Sequence, residues 1–285
     1  MNSPLSDPEA CDHYAVMGNP IAHSKSPRIH RLFAEQTGEA VCYRAILVEP
    51  GRLAEAVAEF VAEAGKGLNI TVPFKQDAWR LVDQRSPRAE RAGAVNTIRI
   101  DSGTLFGDNT DGVGLVRDLK DNLGLPLRER RILLMGAGGA ARGVLAPLLE
   151  QQPALLVIAN RTAQRAVELA EAFSDLGTVQ GCGYDALGEL QFDLLINATA
   201  ASLQGDLPPL PDGILAAGGA AYDMMYGERP TAFMQWARWQ GAATVADGLG
   251  MLVEQAAESF FVWRGVRPQT RPVIERLREE LHAVS

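Results

Sequence analysis

The sequence predicts an α/β protein with two domains, and three observations carry that prediction. Up to about residue 112, short strands alternate with helix-length segments. A different rhythm begins near Asp111, where strands that are apolar throughout alternate with helices, which is typical of a parallel sheet with helices on both faces. After Gly248 the chain returns to helical segments. A length of 285 residues fits one to two domains.

Turn and capping residues set the bounds of the elements in the first part of the chain. Ser26 is predicted to be the N-cap of a helix, with Pro27 at its first helical position and Gly38 after its end. Asp101-Ser102-Gly103 indicates a hairpin. The expected strands are 14–17, 43–48, 68–72, 95–100 and 104–106, and the expected helices are 27–37 and 53–64.

The second part of the chain has fewer turn signals inside its strands. The expected strands are 131–135, 155–159, 193–196 and 220–224. One helix is expected from a glycine-rich turn to Glu150, and others over 162–173, 251–263 and 273–283. The sequence leaves open whether the helices after about residue 247 pack on the first domain.

Charge and hydropathy argue against two classes of partner. The net charge is −8 and the basic residues are scattered, whereas nucleic-acid binders more often show a basic stripe. No run of about 18 apolar residues is present, so we expect no membrane span. The first residues lack the basic and apolar regions of a signal peptide, so we expect no secretory leader.

The cysteine and histidine content predicts neither disulfides nor a metal site. Cys11, Cys42 and Cys182 are odd in number and far apart in sequence, and the four histidines do not cluster with them or with carboxylates. This usage fits a reducing cytosol, so we expect a cytoplasmic protein.

A glycine-rich turn marks a candidate cofactor site. The apolar strand 132–135 runs into Gly136-Ala137-Gly138-Gly139-Ala140-Ala141, which matches the dinucleotide fingerprint of a Rossmann domain with its allowed terminal alanine. Gly136 allows a sharp turn, and Gly138 allows backbone N–H groups to approach a pyrophosphate at the positive end of a helix. The alternative is a tight turn with a purely structural role.

The end of the next strand indicates which dinucleotide is bound. An NAD site would have Asp or Glu about 20 residues after the turn. This chain has Asn160-Arg161-Thr162, with Arg165 one turn later. Because guanidinium groups pair with phosphates in fork geometry, these residues favour NADP(H). The alternative is that Thr162 caps a helix and both arginines are solvated.

Polar residues in the first part predict a site for a hydroxylated carboxylic acid. Ser24 and Ser26 precede a helix start, where hydroxyls and the helix dipole suit a carboxylate. Other polar groups lie near strand ends, and we expect the amides and the carboxylate among them to bind ring hydroxyls: Asn69, Thr71, Lys75, Asn96 and Asp111. Three structural alternatives remain: an ordinary serine cap, an exposed lysine at position 75, and Asp111 as the cap of the helix over 113–123.

Taken together, these motifs resemble the shikimate dehydrogenase family, whose members use NADP in aromatic amino-acid biosynthesis. The resemblance runs from about residue 14 to 281. Its ordered blocks are Asn19-Pro20-Ile21-x-His23-Ser24-x-Ser26-Pro27, Asn69-x-Thr71-Val72-Pro73-Phe74-Lys75, Gly93-Ala94-Val95-Asn96-Thr97, Gly107-x-Asn109-Thr110-Asp111-Gly112, Gly136-Ala137-Gly138-Gly139-Ala140, Asn160-Arg161-Thr162, Asn197-Ala198-Thr199, Tyr222-Asp223-Met224 and Asp247-Gly248-Leu249-Gly250-Met251-Leu252.

The resemblance implies reversible reduction of 3-dehydroshikimate to shikimate by NADPH. Lys75 would donate a proton to the C3 oxygen, and Asp111 would orient Lys75 and bind a hydroxyl. The two serines would hold the substrate carboxylate. The other implied substrate contacts are Asn69, Thr71, Asn96, Tyr226 and Gln255.

The resemblance also implies a discontinuous substrate domain, residues 1–112 with 247–285, and a Rossmann NADP-binding domain over 113–246, with the active cleft between them. Met224 and Gly248 would lie near the nicotinamide, as would the loop after Thr199. In that loop the family usually has serines and a glycine, where this chain has Ala200-Ala201-Ser202.

Two alternative functions remain open at this point. A quinate/shikimate dehydrogenase using NAD(H) would share the substrate blocks and differ at the cofactor end. A non-catalytic NADP-sensing module would keep the glycine turn without needing Lys75 and Asp111. The sequence leaves the oligomeric state open, with a homodimer as one alternative.

Overall fold

The computed structural model describes residues 11–199 and 205–283. The chain divides into two compact units, the first Met1–Thr110 with Gln255–Val273 and the second Asp111–Glu254 with Ile274–Ser285. Each unit is built on its own six-stranded sheet, and together they confirm the predicted α/β class.

The first unit has a mixed sheet in the order β2-β1-β3-β5-β6-β4. Its strands are β1 (Asp12–Gly18), β2 (Val41–Leu47), β3 (Gly67–Ile70), β4 (Gln84–Arg85), β5 (Thr97–Asp101) and β6 (Thr104–Asp108). β1 pairs in parallel with β2 and β3, whereas β5 pairs antiparallel with both β3 and β6. The expected hairpin at 101–103 is the β5–β6 connection.

Four helices lie within the first unit, and a fifth contributes its second half. They are α1 (Ser26–Thr37), α2 (Leu53–Ala62), α3 (Lys75–Leu81), α4 (Pro87–Ala92) and, from residue 255 onward, α9 (Leu249–Arg264). The second half of α9 fits closely on the sheet because Gly67 has no side chain. A Cβ on Gly67 would lie 2.5 Å from Nε1 of Trp263, and that Nε1 donates to the carbonyl of Ile98 at 2.9 Å.

The second unit has a wholly parallel sheet in the order β12-β11-β10-β7-β8-β9. Its strands are β7 (Arg131–Met135), β8 (Leu155–Ala159), β9 (Val179–Cys182), β10 (Phe192–Asn197), β11 (Leu215–Asp223) and β12 (Thr244–Asp247). This is the strand order of a doubly wound dinucleotide fold, with the reversal between β7 and β10, where such folds bind ligands.

Helices cover both faces of that sheet. They are α5 (Asp111–Arg117), which continues as a π-helical turn (Asp118–Asn122), then α6 (Gly139–Leu149), α7 (Ala163–Glu171), α8 (Ala232–Trp239) and most of α10 (Arg271–His282). Along β7, Ile132 and Leu134 pack into one apolar cluster, and Leu133 and Met135 pack into the other. The strands are therefore apolar throughout because the sheet is buried on both faces.

The two terminal helices divide between the units. α10 lies in the second unit, where the guanidinium of Arg278 bonds both carboxylate oxygens of Asp247, one of them at 2.6 Å. Residues 255–273 lie in the first unit. The functional division into a substrate domain and a cofactor domain stays a prediction.

Two local expectations were wrong, and one structural alternative is excluded. Cys11 and Cys42 form a disulfide, because parallel pairing of β1 with β2 brings their Cα atoms to 5.7 Å despite 31 residues of separation. Lys25, and not Ser26, is the N-cap of α1, and Ser26 begins the helix. Asp111 lies in the first turn of α5 rather than capping it, and the helix expected over 113–123 ends in the π-helical turn.

Short elements escaped the sequence analysis, which found the long ones within a few residues of their observed bounds. The missed elements are α3, α4, α8, β4, β9 and β12. No helix in the described ranges is both long and apolar enough to cross a membrane.

Candidate active site

The start of α1 brings the two predicted serines together. The hydroxyl of Ser24 accepts a hydrogen bond from the backbone N–H of Ser26 at 3.3 Å. Ser26 is buried, and Pro27 follows it in the first turn. Two hydroxyls therefore lie at the positive end of a helix of 12 residues, as a carboxylate site requires.

Tyr43 connects this helix start to the predicted substrate residues. Its hydroxyl donates to Oδ1 of Asn69 at 2.7 Å, and its ring stacks on His30 with centroids 4.2 Å apart. Burial raises the pKa of Tyr43 well above its usual value, and a hydrogen bond with Ser26 opposes that shift. The phenol is therefore a neutral donor, and the sequence analysis did not identify it.

Asn69 is buried on β3 with its amide engaged inside the protein. Its Nδ2 donates to the backbone oxygen of Asn96 at 3.1 Å, to Oγ1 of Thr97 at 3.2 Å and to Oγ of Ser259 at 3.0 Å. Two N–H bonds thus face three acceptors. These bonds hold Asn69 against its neighbours, and its contact with a ligand stays a prediction.

Asn96 and Gln255 lie side by side in the same unit. Oδ1 of Asn96 accepts from the backbone N–H of Thr110 at 2.9 Å, which fixes the orientation of the amide. Its Nδ2 then points to Oγ1 of Thr110 at 3.0 Å and to Oε1 of Gln255 at 3.3 Å. These contacts bring together two of the predicted substrate residues from positions 159 residues apart.

Lys75 and Thr71 lie on either side of a turn after β3. Lys75 is half-buried as the first residue of α3, and its carbonyl accepts from the N–H of Val95 at 2.9 Å. Thr71 lies against Gly18, where an added Cβ would be 2.3 Å from Cγ2 of Thr71. The first unit therefore contains seven of the predicted substrate residues: Ser24, Ser26, Asn69, Thr71, Lys75, Asn96 and Gln255.

Two other predicted residues lie in the second unit. Asp111 is the buried first residue of α5. Tyr226 is half-buried and lines a recess of about 520 Å³ with Met225, Arg229 and Thr231. Burial, with a smaller contribution from Asp247, raises the pKa of Tyr226. The pairing of Lys75 with Asp111 stays a prediction.

The glycine turn between β7 and α6 has the geometry that a dinucleotide phosphate needs. Gly136 has φ +105°, which L side chains rarely adopt. Gly138 is the N-cap of α6, and neither it nor Gly139 would bring a Cβ within 4 Å of any atom in the described ranges. The backbone N–H groups of Gly138, Gly139 and Ala140 therefore form an open edge at a helix start, and this fits a pyrophosphate.

Polar residues follow β8, as the sequence predicts. The N–H of Asn160 donates to the carbonyl of Cys182 at 3.1 Å, and its side chain donates to the carbonyl of Thr162 at 3.0 Å. Thr162 occupies the N-cap position of α7 without a capping hydrogen bond from its side chain. Arg161 and Arg165 are exposed beside it, one turn apart, so the arrangement suits a 2′-phosphate.

Two buried polar residues, Asn197 and Asp223, hold the first residues after β10 and β11, and the sequence analysis named them only within the family blocks. Oδ1 of Asn197 accepts from the hydroxyl of Thr199 at 2.7 Å, and Oδ1 of Asp223 accepts from the N–H of Met225 at 3.0 Å. A Cβ on Gly248 would lie 2.2 Å from the carbonyl oxygen of Met224. Thr199 and Met224, both expected near the nicotinamide, are thus held by hydrogen bonds to Asn197, and Gly248, expected there too, packs closely on Met224.

Some expectations cannot be placed in the structure. The departure at Ala200-Ala201-Ser202 lies outside the described residues.

The sequence analysis did not assign a role to Thr97 or Ser259, two further polar residues of the first unit, although both carried a signal. Thr97 follows Asn96, and Ser259 comes four residues after Gln255, on the same helix face.

Three family models match successive parts of the chain. The shikimate dehydrogenase substrate binding domain matches residues 16–98, and the shikimate / quinate 5-dehydrogenase model matches residues 118–204. The shikimate 5'-dehydrogenase C-terminal domain matches residues 248–278.

Individual relatives match nearly the full length. The chain is 60% identical to shikimate dehydrogenase (NADP(+)) of Nitrosococcus oceani, covering 95% of this chain and 96% of the relative. It is 61% identical to the protein of the same name from Alkalilimnicola ehrlichii, covering 94% and 99%. The crystal structure of shikimate 5-dehydrogenase from Thermus thermophilus in complex with NADP(H) and shikimate is 36% identical, with a TM-score of 0.83 and coverage of 94% and 99%.

Proposed function

Because this chain belongs to the shikimate dehydrogenase family, we propose that it catalyses the reversible reduction of 3-dehydroshikimate to shikimate with NADPH, in the shikimate pathway of aromatic amino-acid biosynthesis. The observation that carries the proposal is the match of both units to relatives named for this reaction. Its substrate is thus a small hydroxylated carboxylic acid.

The proposed chemistry divides between the two units. When bound, NADPH supplies the hydride that reduces the substrate carbonyl. The ammonium of Lys75 donates a proton to the oxygen as negative charge develops there, and Asp111 orients that ammonium. A positioned acid of this kind contributes about 10²- to 10⁴-fold to rate. The hydroxyls of Ser24 and Ser26 bind the substrate carboxylate.

Hydrogen-bond capacity supports different roles for the amides. The two N–H bonds of Asn69 already face three acceptors, so it is proposed to act through its neighbours. The 3.3 Å contact between Asn96 Nδ2 and Gln255 Oε1 is longer than the 3.0 Å contact of that Nδ2 with Oγ1 of Thr110, so a ring hydroxyl can replace it at a smaller cost.

NADP(H) is the proposed cofactor, supported by the residues that follow β8. No carboxylate stands at positions 160–162, where it would repel a 2′-phosphate, and Arg161 and Arg165 are both exposed. NADPH is an intracellular reductant, so we propose a cytoplasmic location.

A direct assay tests the proposal. Oxidation of NADPH in the presence of 3-dehydroshikimate is expected to be fast, and kcat/KM with NADPH is expected to exceed that with NADH. Equal or better turnover with NADH, or a preference for dehydroquinate over dehydroshikimate, would favour the quinate/shikimate alternative. NADPH binding without any turnover would favour the sensing module.

A charge variant tests the cofactor assignment separately. Arg161→Gln combined with Arg165→Gln removes the proposed phosphate contacts, so kcat/KM for NADPH should fall about 10- to 100-fold, as expected for charged hydrogen bonds, with little change for NADH. Arg128→Gln removes an exposed arginine of the same unit and serves as the control. A parallel loss with both cofactors would contradict the assignment.

A further inference from the structure

We propose that Thr97 is a positioning residue whose buried hydroxyl holds the substrate-binding amides in their working orientation. This inference rests on the proposed function, because it assigns Asn96 and Gln255 to the hydroxyls of the substrate ring. Thr97 does not itself touch the substrate. It acts through Asn69, Asn96 and Ser259.

The Thr97 hydroxyl lies at the centre of a buried polar cluster in the first unit. Thr97 is the first residue of β5 and is fully buried. Its Oγ1 accepts from Nδ2 of Asn69 at 3.2 Å and donates towards Oδ1 of Asn96 at 3.0 Å. It lies 2.7 Å from Oγ of Ser259. One hydroxyl therefore contacts two amides and the helix that carries Gln255.

The cluster permits one orientation of each amide. The backbone carbonyl oxygen of Asn96 can only accept, so Nδ2 of Asn69 must point to it. On the other side of the amide, the phenol of Tyr43 donates to Oδ1 of Asn69. The backbone N–H of Thr110 requires Oδ1 of Asn96, which leaves Nδ2 pointing to Gln255. Thr97 matches both orientations, because a hydroxyl can accept and donate at the same time.

Ser259 extends the positioning to Gln255. Its hydroxyl donates to the backbone carbonyl of Gln255 at 3.0 Å, one turn earlier on α9. The same hydroxyl accepts from Nδ2 of Asn69 at 3.0 Å. The contacts link segments that are up to 190 residues apart in sequence. Loss of the Thr97 hydroxyl would remove one contact from each of Asn69, Asn96 and Ser259, so the cluster would hold its amides less firmly. Small displacements of substrate-positioning groups reduce turnover steeply.

Two substitutions at Thr97 separate the hydroxyl from the packing. Thr97→Val keeps the shape and removes the hydroxyl, whereas Thr97→Ser keeps the hydroxyl. With NADP⁺ saturating, Thr97→Val should raise KM for shikimate about 10- to 100-fold. KM for NADP⁺ should stay unchanged, and Thr97→Ser should restore most of the loss. Thr37→Val is the control, since it removes a half-buried hydroxyl that bonds the carbonyl of Phe33 on α1, outside the cluster.

Shikimate analogues that lack the 4-hydroxyl or the 5-hydroxyl distinguish positioning from a general packing defect. A packing defect would affect the KM of shikimate and of the analogues alike. If Thr97 positions the amide that binds one of those hydroxyls, the effects of Thr97→Val and of removing that hydroxyl should not add. Additive effects with both analogues would overturn the inference, as would an unchanged KM or equal damage from Thr97→Ser.

If Thr97→Val does not fold, Ser259→Ala takes its place. It removes the second hydroxyl of the cluster, and the same non-additivity is expected. Inactivity of the wild-type protein with shikimate and NADP⁺ would refute the proposed function itself. Normal wild-type turnover with additive variants would refute only the role of Thr97.

Discussion

The two units offer polar groups to their proposed ligands in different ways. The first unit uses side chains, and it buries Asn69, Asn96 and Thr97 in one cluster to do so. The proposed cofactor site of the second unit uses the main chain at Gly138 and Gly139, where missing side chains leave the backbone N–H groups open. A side-chain site depends on distant partners that must fold around it, whereas a backbone site depends on the local path of a single turn.

Lys75 should give the largest effect, because it is proposed to do chemistry that no backbone group can replace. Lys75→Ala is expected to lower kcat by about 10²- to 10⁴-fold with NADPH affinity unchanged. Stopped-flow turnover and fluorescence titration of NADPH measure the two quantities. Lys66→Ala, at an exposed lysine of the same unit, should leave both unchanged. Full turnover by Lys75→Ala would remove Lys75 from the mechanism.

The disulfide gives the first unit a covalent constraint, while the free thiol of Cys182 lies in the second unit. Replacing Cys11 and Cys42 together by serine should lower the free energy of unfolding by about 2 to 4 kcal/mol, because the link restricts the unfolded chain. Urea unfolding measures this loss. Adding a thiol reductant should reproduce it in the wild type but not in the double variant, and Cys182→Ser should behave as wild type. Equal stability with and without reductant would contradict this prediction.

A methyl group should harm the backbone site without harming the fold. Gly138→Ala adds a Cβ into open space at ordinary φ, so the melting temperature should be unchanged. The Kd for NADPH should rise about tenfold or more, because the main chain can no longer approach the pyrophosphate. Gly177→Ala is a matched control, since its Cβ would make an ordinary 3.6 Å contact. Unchanged NADPH affinity in Gly138→Ala would locate the phosphates elsewhere.

Side-chain burial in the first unit should also make it sensitive to acid. Burial lowers the pKa of His30 to about 3, and neighbouring Asn69 opposes the shift. Among the described residues, no polar atom lies at hydrogen-bonding distance and angle from either ring nitrogen of His30. The unfolded chain takes up this proton below pH about 6.5 and the folded chain does not, so stability falls as pH drops from there towards 3.

The corresponding variant is His30→Phe, which keeps a ring against Tyr43. Its stability relative to wild type should rise on acidification by at most about 1.4 kcal/mol per pH unit. Urea unfolding between pH 7 and pH 4 measures the difference, with His282→Gln as the exposed control. A constant difference across this range would show that His30 titrates normally.

The sequence predicted features that depend on neighbouring residues better than features that depend on distant ones. The turn at Gly136 and Gly138 was predictable because its requirements lie within a few residues. The long strands and helices were predictable from apolar periodicity. The bond between Asn69 and Ser259 was not, because those residues are 190 positions apart and meet only after the sheet and α9 have formed.

The two wrong expectations have different origins. The separation of Cys11 and Cys42 in sequence argued against a link, but the pairing of β1 with β2 brings the two residues together in space. Ser26 before Pro27 has the residue types of a cap, yet the hydroxyl that accepts from the first helical N–H comes from Ser24, two residues earlier. Residue type alone did not determine which of the two serines begins the helix.

The crowding at Gly248 has a practical consequence for redesigning cofactor preference. Any larger residue there would collide with the carbonyl of Met224, so a mutant library that randomises this position would consist mainly of misfolded clones. Arg161 and Arg165 face solvent and accept replacement freely. Directed evolution towards the unphosphorylated coenzyme should therefore diversify those two positions and leave Gly248 untouched.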